Sequence, residues 1–229
     1  MSPRFADRTE AARALATRLV DEHLPEPLVV LALPRGGVPI GVEVAKRLHA
    51  PLDLLLVRKI GAPWQRELAV AAVVDGVHPE VVIDEETSQA TGASRAYIDE
   101  QAQIEWREIE RRRAVYLRGR APLPVRGATV SVVDDGIATG TTARAALKAL
   151  RRRGAARLVL AVPVAPHRTL MALQREVDRI VCLAEPEPFR AIGLHYRDFE
   201  QVSDEQVLAA LDAAAAATAE SGAAGEGPH

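Results

Sequence analysis

The chain has 229 residues, 48% of them apolar, enough to bury one sizeable core, and it reads most simply as one domain carrying an insertion. A formal net charge of -2 and a pI near 6.3 give no global electrostatic reason to expect nucleic acid or a membrane surface as a partner. A single cysteine, Cys182, excludes an internal disulfide framework and a cysteine-based zinc site.

Residues 5–22 alternate charge with Ala and Leu in a helical pattern and lack the apolar stretch of a signal peptide, which points to a cytoplasmic protein. No run approaches the roughly 20 apolar residues of a membrane span. HLPEP (23–27) closes this first helix with prolines. LVVLAL (28–33) is a continuous apolar run of strand length, the kind buried on both faces of a parallel sheet. PRGG follows, and VPIGVEVAKRLHA then predicts a helix burying Val38, Val42, Ala45 and Leu48. LDLLLV (52–57) is expected as a second buried strand, ending at Arg58 and Lys59.

Residues 60–127 break the rhythm. Two short β-like pieces, LAVAAVV and EVVIDE, precede a long polar helix, SRAYIDEQAQIEWREIERRRAVYL. This insertion between core strands two and three is expected on the sheet's functional edge. ATVSVVDD (128–135) is the third strand, followed by a helix through Arg153 that Gly154 stops. RLVLAVPV (157–164) and RIVCLAE (179–185) are the fourth and fifth, the latter holding Cys182 as a buried, inert thiol. An aromatic-containing segment, PEPFRAIGLHYRDFEQV (186–202), leads to a last helix that opens at Ser203 with Gln206 in a capping-box pattern. Residues 216–229 hold too little apolar bulk to order and are expected to be a disordered tail to a domain spanning 1–215. Strands alternating with helices argue for an α/β fold: an open, mainly parallel five-stranded sheet with helices on both faces.

The stretch VVDDGIATGTT (132–142) carries the chemistry. Ligands of open parallel sheets bind at the carboxyl ends of the strands, where Asp134 and Asp135 fall. A sharp turn into a helix leaves backbone N–H groups unpaired, and the helix dipole reinforces them. Gly136, Ala138 and Gly140 let that backbone approach a ligand closely, while Thr139, Thr141 and Thr142 add hydroxyls. The loop therefore suits a phosphate. Two carboxylates beside it must face something else, hydroxyls or a divalent metal, and a sugar phosphate satisfies both halves. The plainer reading is an acidic pair capping an ordinary helix. No nucleotide-binding GxxxxGK[ST] or GxGxxG occurs.

This stretch resembles the phosphoribosyl-pyrophosphate motif of type I phosphoribosyltransferases. LVVLALPRGGVPIGVEVAKRL is similar to that family's first strand and pyrophosphate loop, LDLLLVRKIGAP to its second strand and mobile loop, and PEPFRAIGLHYRDF, more loosely, to its base-covering hood (about 186–202). The order of segments looks closest to a bacterial subfamily with a helical insertion. The resemblance implies that Asp134 and Asp135 hold the ribose hydroxyls, directly or through Mg²⁺, and that 138–142 cradle the 5′-phosphate. It also implies that Arg35, Gly36 and Gly37 contact pyrophosphate, often through a strained peptide, while Arg58 or Lys59 neutralises the leaving group. Only Lys46, Lys59 and Lys148 stand among many arginines, so a lysine kept at 59 draws attention. The implied partners are phosphoribosyl pyrophosphate and a nitrogenous acceptor. A lid from 60–80, hinged at GAP (61–63) and carrying Glu67, would exclude water.

Ala138 departs from the 6-oxopurine members, which carry an aspartate there that acts on the base. Phe189 is a candidate for stacking on the acceptor and Tyr196 or Asp198 for reading its edge, with packing as the alternative, and His195 is a candidate for proton transfer. REIERRRAVYLRGR (107–120) looks basic, but Glu108 and Glu110 interleave, which favours a solvated helix face over RNA binding. Trp106, Ile109 and Tyr97 form the insertion's own core or an oligomer contact. The alternative to an enzyme is a regulator that senses the same ligand without turnover.

Overall fold

The computed structural model describes residues 5–76 and 79–223, of which 216–223 are described as backbone alone. Five parallel strands form the main sheet: β1 (Leu28–Ala32), β2 (Leu52–Leu54), then β6 (Thr129–Val133), β7 (Arg157–Val164) and β8 (Arg179–Ala184), in the order β2-β1-β6-β7-β8. Between β2 and β6 a second, antiparallel sheet holds β3 (Val57–Ala62), β4 (Gln65–Val74) and β5 (Glu80–Ile83).

The central strands are apolar without alternation because both their faces are covered. Val30, Ala32 and Val133 enter one core with Leu15 and Leu19 of α1 (Arg8–Val20) and Ile40 and Val44 of α2 (Gly37–Leu48). Leu31, Val132 and Leu160 enter the other, with Leu147 and Leu150 of α5 (Thr141–Arg152) and Leu170 of α6 (His167–Leu173). Trimming one such fully buried leucine to alanine costs about 2–5 kcal/mol. The buried face of α2 is broader than its sequence suggests: Ile40, Gly41 and Val44 are buried, whereas Val42 and Leu48 are only partly so.

The insertion adds α3 (Glu85–Thr91) and α4 (Arg95–Leu117) after its three strands. The second core strand is shorter than expected. It stops at Leu54, and 57–62 leave the main sheet to pair with β4. Residues 60–74 are thus a hairpin with its turn at Pro63–Trp64 and register shifts around Gly61, not a loop after Lys59, and the Tyr97 hydroxyl of α4 donates to the Gly61 carbonyl at 2.9 Å. Ile109 is buried, with Trp106 and Tyr97 packed against the same core, so the aromatic stripe belongs to the domain's packing.

The last helix, α7 (Asp204–Ala223), opens with a reciprocal capping box: Ser203 N–H donates to Gln206 at 2.8 Å and Gln206 N–H to the Ser203 hydroxyl at 3.2 Å. It continues as helix past 215, where the sequence alone suggests disorder; residues 224–229 lie outside the described residues. No helix among the described residues is long and apolar enough to cross a membrane.

Candidate active site

The strand order fixes the site. From β1 the chain passes to β2 on one side, while β6, β7 and β8 build outward on the other, so connections diverge between β1 and β6. Such a switch point opens a crevice at the carboxyl ends of the strands. The two loops that leave it are PRGG (34–37) and DDGIATG (134–140), brought together across 96 intervening residues (38–133) by the β1–β6 pairing.

The loops touch through glycine. A Cβ on Gly36 would lie 2.1 Å from Oδ2 of Asp135, and one on Gly37 would lie 2.8 Å from the Val133 carbonyl oxygen and 3.0 Å from Asp134 Cα. Any side chain at 36 would push the acid pair aside. The Pro34–Arg35 peptide bond is cis.

Both loops end in helices with no side-chain cap. Gly36 precedes α2 and Gly140, in the left-handed region at φ 76°, precedes α5, and neither offers a side-chain hydrogen bond. At α5 first-turn N–H groups are therefore left for an anion, whereas at α2 the Gly37 and Val38 N–H groups already donate to the Leu33 and Arg35 carbonyls at 3.0 and 3.1 Å. Thr169 fixes the second loop by donating its hydroxyl to the Ala138 carbonyl at 2.7 Å. Ala138 and Thr139 are exposed, Thr141 and Thr142 partly so, and the Thr139 and Thr141 hydroxyls lie 3.4 Å apart.

The acids are not equivalent. Asp134 Oδ1 accepts the Asp135 N–H at 2.8 Å. Burial, and then the adjacent Asp135 carboxylate, push Asp134 well above the usual carboxylate range. Asp135 is also raised by burial, against the pull of Arg8, whose Nε donates to its Oδ2 at 2.8 Å. The Tyr196 hydroxyl donates to the Asp135 carbonyl.

Among the expected cations, Arg35 stays with this crevice. Its Nη1 lies 3.5 Å from Oδ1 of Asp204, an oxygen that also accepts the Tyr116 hydroxyl at 2.6 Å. Arg58 and Lys59 do not sit at the end of a core strand, because β2 ends four residues earlier. Both belong to β3: Arg58 donates to Glu105 of α4 at 2.7 Å, and Lys59 is exposed opposite Ala72. Glu67 lies on the exposed start of β4. Phe189 stacks on His195 with ring centroids 5.4 Å apart and packs partly into the core. In the 107–120 run Arg111 and then Arg112 hold Glu108 down at about 2 within the helix, while Arg113 pairs with Asp75 and Arg118 with Asp212.

Four residues at this edge are not legible in the sequence. Arg8 and Asp204 are ordinary helix-opening residues of a chain rich in charge. His167 and Glu185 follow β7 and β8 on the same carboxyl edge, with Nδ1 and Oε2 2.6 Å apart. None of the four stands in a motif.

A family model described as phosphoribosyl transferase domain matches residues 6–197. The chain belongs to this family. Two proteins from strains of Mycobacterium tuberculosis, named provisionally as phosphoribosyl transferases, are each 45% identical over 220 residues. Those alignments cover 96% of this chain but 49% of the relatives, so the chain spans about half their length. The crystal structure of TT1426 from Thermus thermophilus superposes with a TM-score of 0.80 at 40% identity, covering 91% of this chain and 97% of that one. The phosphoribosyl transferase domain thus includes the insertion and reaches past the 186–195 segment.

Proposed function

We propose that this domain transfers the 5-phosphoribosyl group of phosphoribosyl pyrophosphate to a nitrogenous, nucleobase-like acceptor and releases pyrophosphate. One observation carries the reading: two uncapped helix starts meet an acid pair at the switch point of the sheet. The 5′-phosphate takes the α5 start, with Thr139, Gly140, Thr141 and Thr142 and the backbone of Gly136 and Ala138. Pyrophosphate takes the α2 start, with Arg35, Gly36 and Gly37. The ribose lies between them, its hydroxyls on the Asp134–Asp135 side.

Breaking the bond between the anomeric carbon and pyrophosphate leaves its electron pair on the departing oxygen and builds oxocarbenium character on the sugar. The acids favour the developing positive ribose, and Arg35, with the positive end of the α2 dipole, stabilises the departing anion. The acceptor nitrogen then bonds to that carbon and sheds its proton. Lys59, exposed on β3, is the second cation of this reading and reaches the leaving group when the hairpin folds over the crevice.

Mg²⁺ fits the donors present. It is a hard cation commonly held by one or two carboxylates and completed by substrate oxygens. Among the described residues no cluster of three or more His, Cys, Asp or Glu side chains is poised for a metal, so Asp134, backed by Asp135, is the protein's contribution. When bound there, the ion offsets negative charge on pyrophosphate.

Phe189 and its His195 stack form the wall nearest the acceptor in this reading. Ala138 offers no side chain for proton transfer, which disfavours hypoxanthine and guanine. The test is calorimetric titration of phosphoribosyl pyrophosphate with and without Mg²⁺, followed by a nucleobase screen that reads pyrophosphate release. Tight, metal-dependent binding with release supports transfer. Binding without release from any acceptor supports a sensor, and no binding removes the proposal.

A further inference from the structure

Arg8 opens α1, 127 residues before the acid pair, yet its side chain is only 13% exposed and that of Asp135 only 10%. Its guanidinium has three partners. Nε donates to Asp135 Oδ2 at 2.8 Å, Nη1 donates to the Glu200 carbonyl at 2.7 Å, and the Phe199 ring centroid lies 3.9 Å below Cζ. Phe199 stacks on Tyr196 at 4.9 Å, whose hydroxyl holds the Asp135 carbonyl. Backbone bonds fasten the two segments: Phe5 N–H to the His195 carbonyl, Arg197 N–H to the Phe5 carbonyl and Asp198 N–H to the Ala6 carbonyl, each at 2.9 Å.

Asp135 is therefore gripped on its side chain and its main chain by one assembly of residues 5–8 and 195–200, with Gly36 against its remaining side. A planar fork suits this better than a point charge, because one guanidinium can hold a carboxylate and a carbonyl while stacking on a ring. Asp134, by contrast, spends one oxygen on a local N–H and has no cation of its own within hydrogen-bonding reach in the described residues.

We infer that the two acids divide their work and that Arg8 is a positioning residue for the phosphoribosyl group: it locks Asp135, so that the Asp134 carboxylate is presented to the ribose. This rests on the proposed phosphoribosyl-pyrophosphate function. It makes the N-terminal segment and the 195–200 segment parts of one clamp on the ribose side of the crevice, whereas Arg35 on the pyrophosphate side is held separately by Asp204.

That asymmetry gives the test. Affinities for phosphoribosyl pyrophosphate and for inorganic pyrophosphate are measured with Mg²⁺ on the full chain, for wild type, Arg8→Gln and Arg8→Lys, with thermal unfolding alongside. Arg8→Gln is expected to lose about tenfold or more in affinity for phosphoribosyl pyrophosphate and to keep pyrophosphate affinity within about twofold. Arg8→Lys, which keeps the charge without the fork, is expected to recover part of the loss. Equal losses on both ligands mark a merely structural residue and overturn the inference, as does no loss on either. If Arg8→Gln does not fold, Phe199→Leu removes the ring and keeps the ion pair, and the same selective loss, smaller in size, is required. Wild-type protein that binds neither ligand defeats the proposed function and this inference with it; wild-type binding with unaltered Arg8 variants defeats this inference alone.

Discussion

Arg35 Nη1 lies 3.5 Å from Asp204 Oδ1, the same oxygen that accepts the Tyr116 hydroxyl at 2.6 Å. The 34–37 loop, the last helix and the insertion's long helix thus meet at one carboxylate. Tyr116, and then Arg35, hold Asp204 below the usual carboxylate range. An anion arriving at Arg35 must share the guanidinium with that acid. Asp204→Asn is expected to tighten pyrophosphate binding by a few fold, on the scale of the roughly 0–1 kcal/mol that an exposed ion pair is worth. Ribose 5-phosphate affinity should stay unchanged. Weaker pyrophosphate binding would mean that Asp204 aims the guanidinium rather than competing for it.

Asp134→Asn should separate function from stability. Burial and the Asp135 charge raise Asp134 in the folded chain, so its ionised form is costlier there than in the unfolded chain. The sign follows from linkage. Stability from this group is complete below its unfolded pKa and is lost as pH rises through the higher folded one. Asparagine does not titrate and escapes that loss. Calorimetry at pH 7 should show a higher Tm, by about 2–4 °C for each kcal/mol recovered, with phosphoribosyl-pyrophosphate affinity abolished. A lower Tm would contradict the buried-charge reading.

Gly36→Ala places a methyl 2.1 Å from an Asp135 oxygen. Overpacking of this kind costs typically about 1–3 kcal/mol. Urea unfolding should show that loss together with impaired binding of both ribose 5-phosphate and pyrophosphate, since both loops shift. A stable variant with normal binding would show that the loops are not locked against each other.

Arg35→Ala and Lys59→Ala should each slow turnover more than they weaken ribose 5-phosphate binding, since both cations are assigned to the leaving group. Steady-state kinetics beside calorimetry decides. Lys59 carries the sharper risk, because it sits exposed on a hairpin; an unchanged kcat for Lys59→Ala would free the hairpin from any role in the chemistry.

Burial pushes the Cys182 thiol up to about 11. At pH 8 its thiolate is scarce, so labelling by a thiol reagent should be slower than for a free cysteine by about two orders of magnitude. Fast labelling of the native protein would mean that the β8 edge opens.

The sequence by itself determined the five parallel strands, four of them nearly to the residue, because strands covered on both faces need unbroken apolar runs. It also located the acid pair and the small-residue loop that follows it, since a strand end, two carboxylates and a run of small residues are contiguous in the chain. It placed Arg58 and Lys59 wrongly. LDLLLVRKI reads as one apolar strand, and only the competition between two sheets ends β2 at Leu54 and pairs the rest with β4. In the last helix, local composition underestimated the helix beyond 215. The partners of the acids lay beyond any reading of the chain. Arg8 and Asp135 are 127 residues apart, and Arg35 and Asp204 are 169 apart. Neither pair leaves a periodicity or a motif, because a long-range ion pair is made by the closure of the fold, after which geometry rather than sequence spacing decides which charges meet.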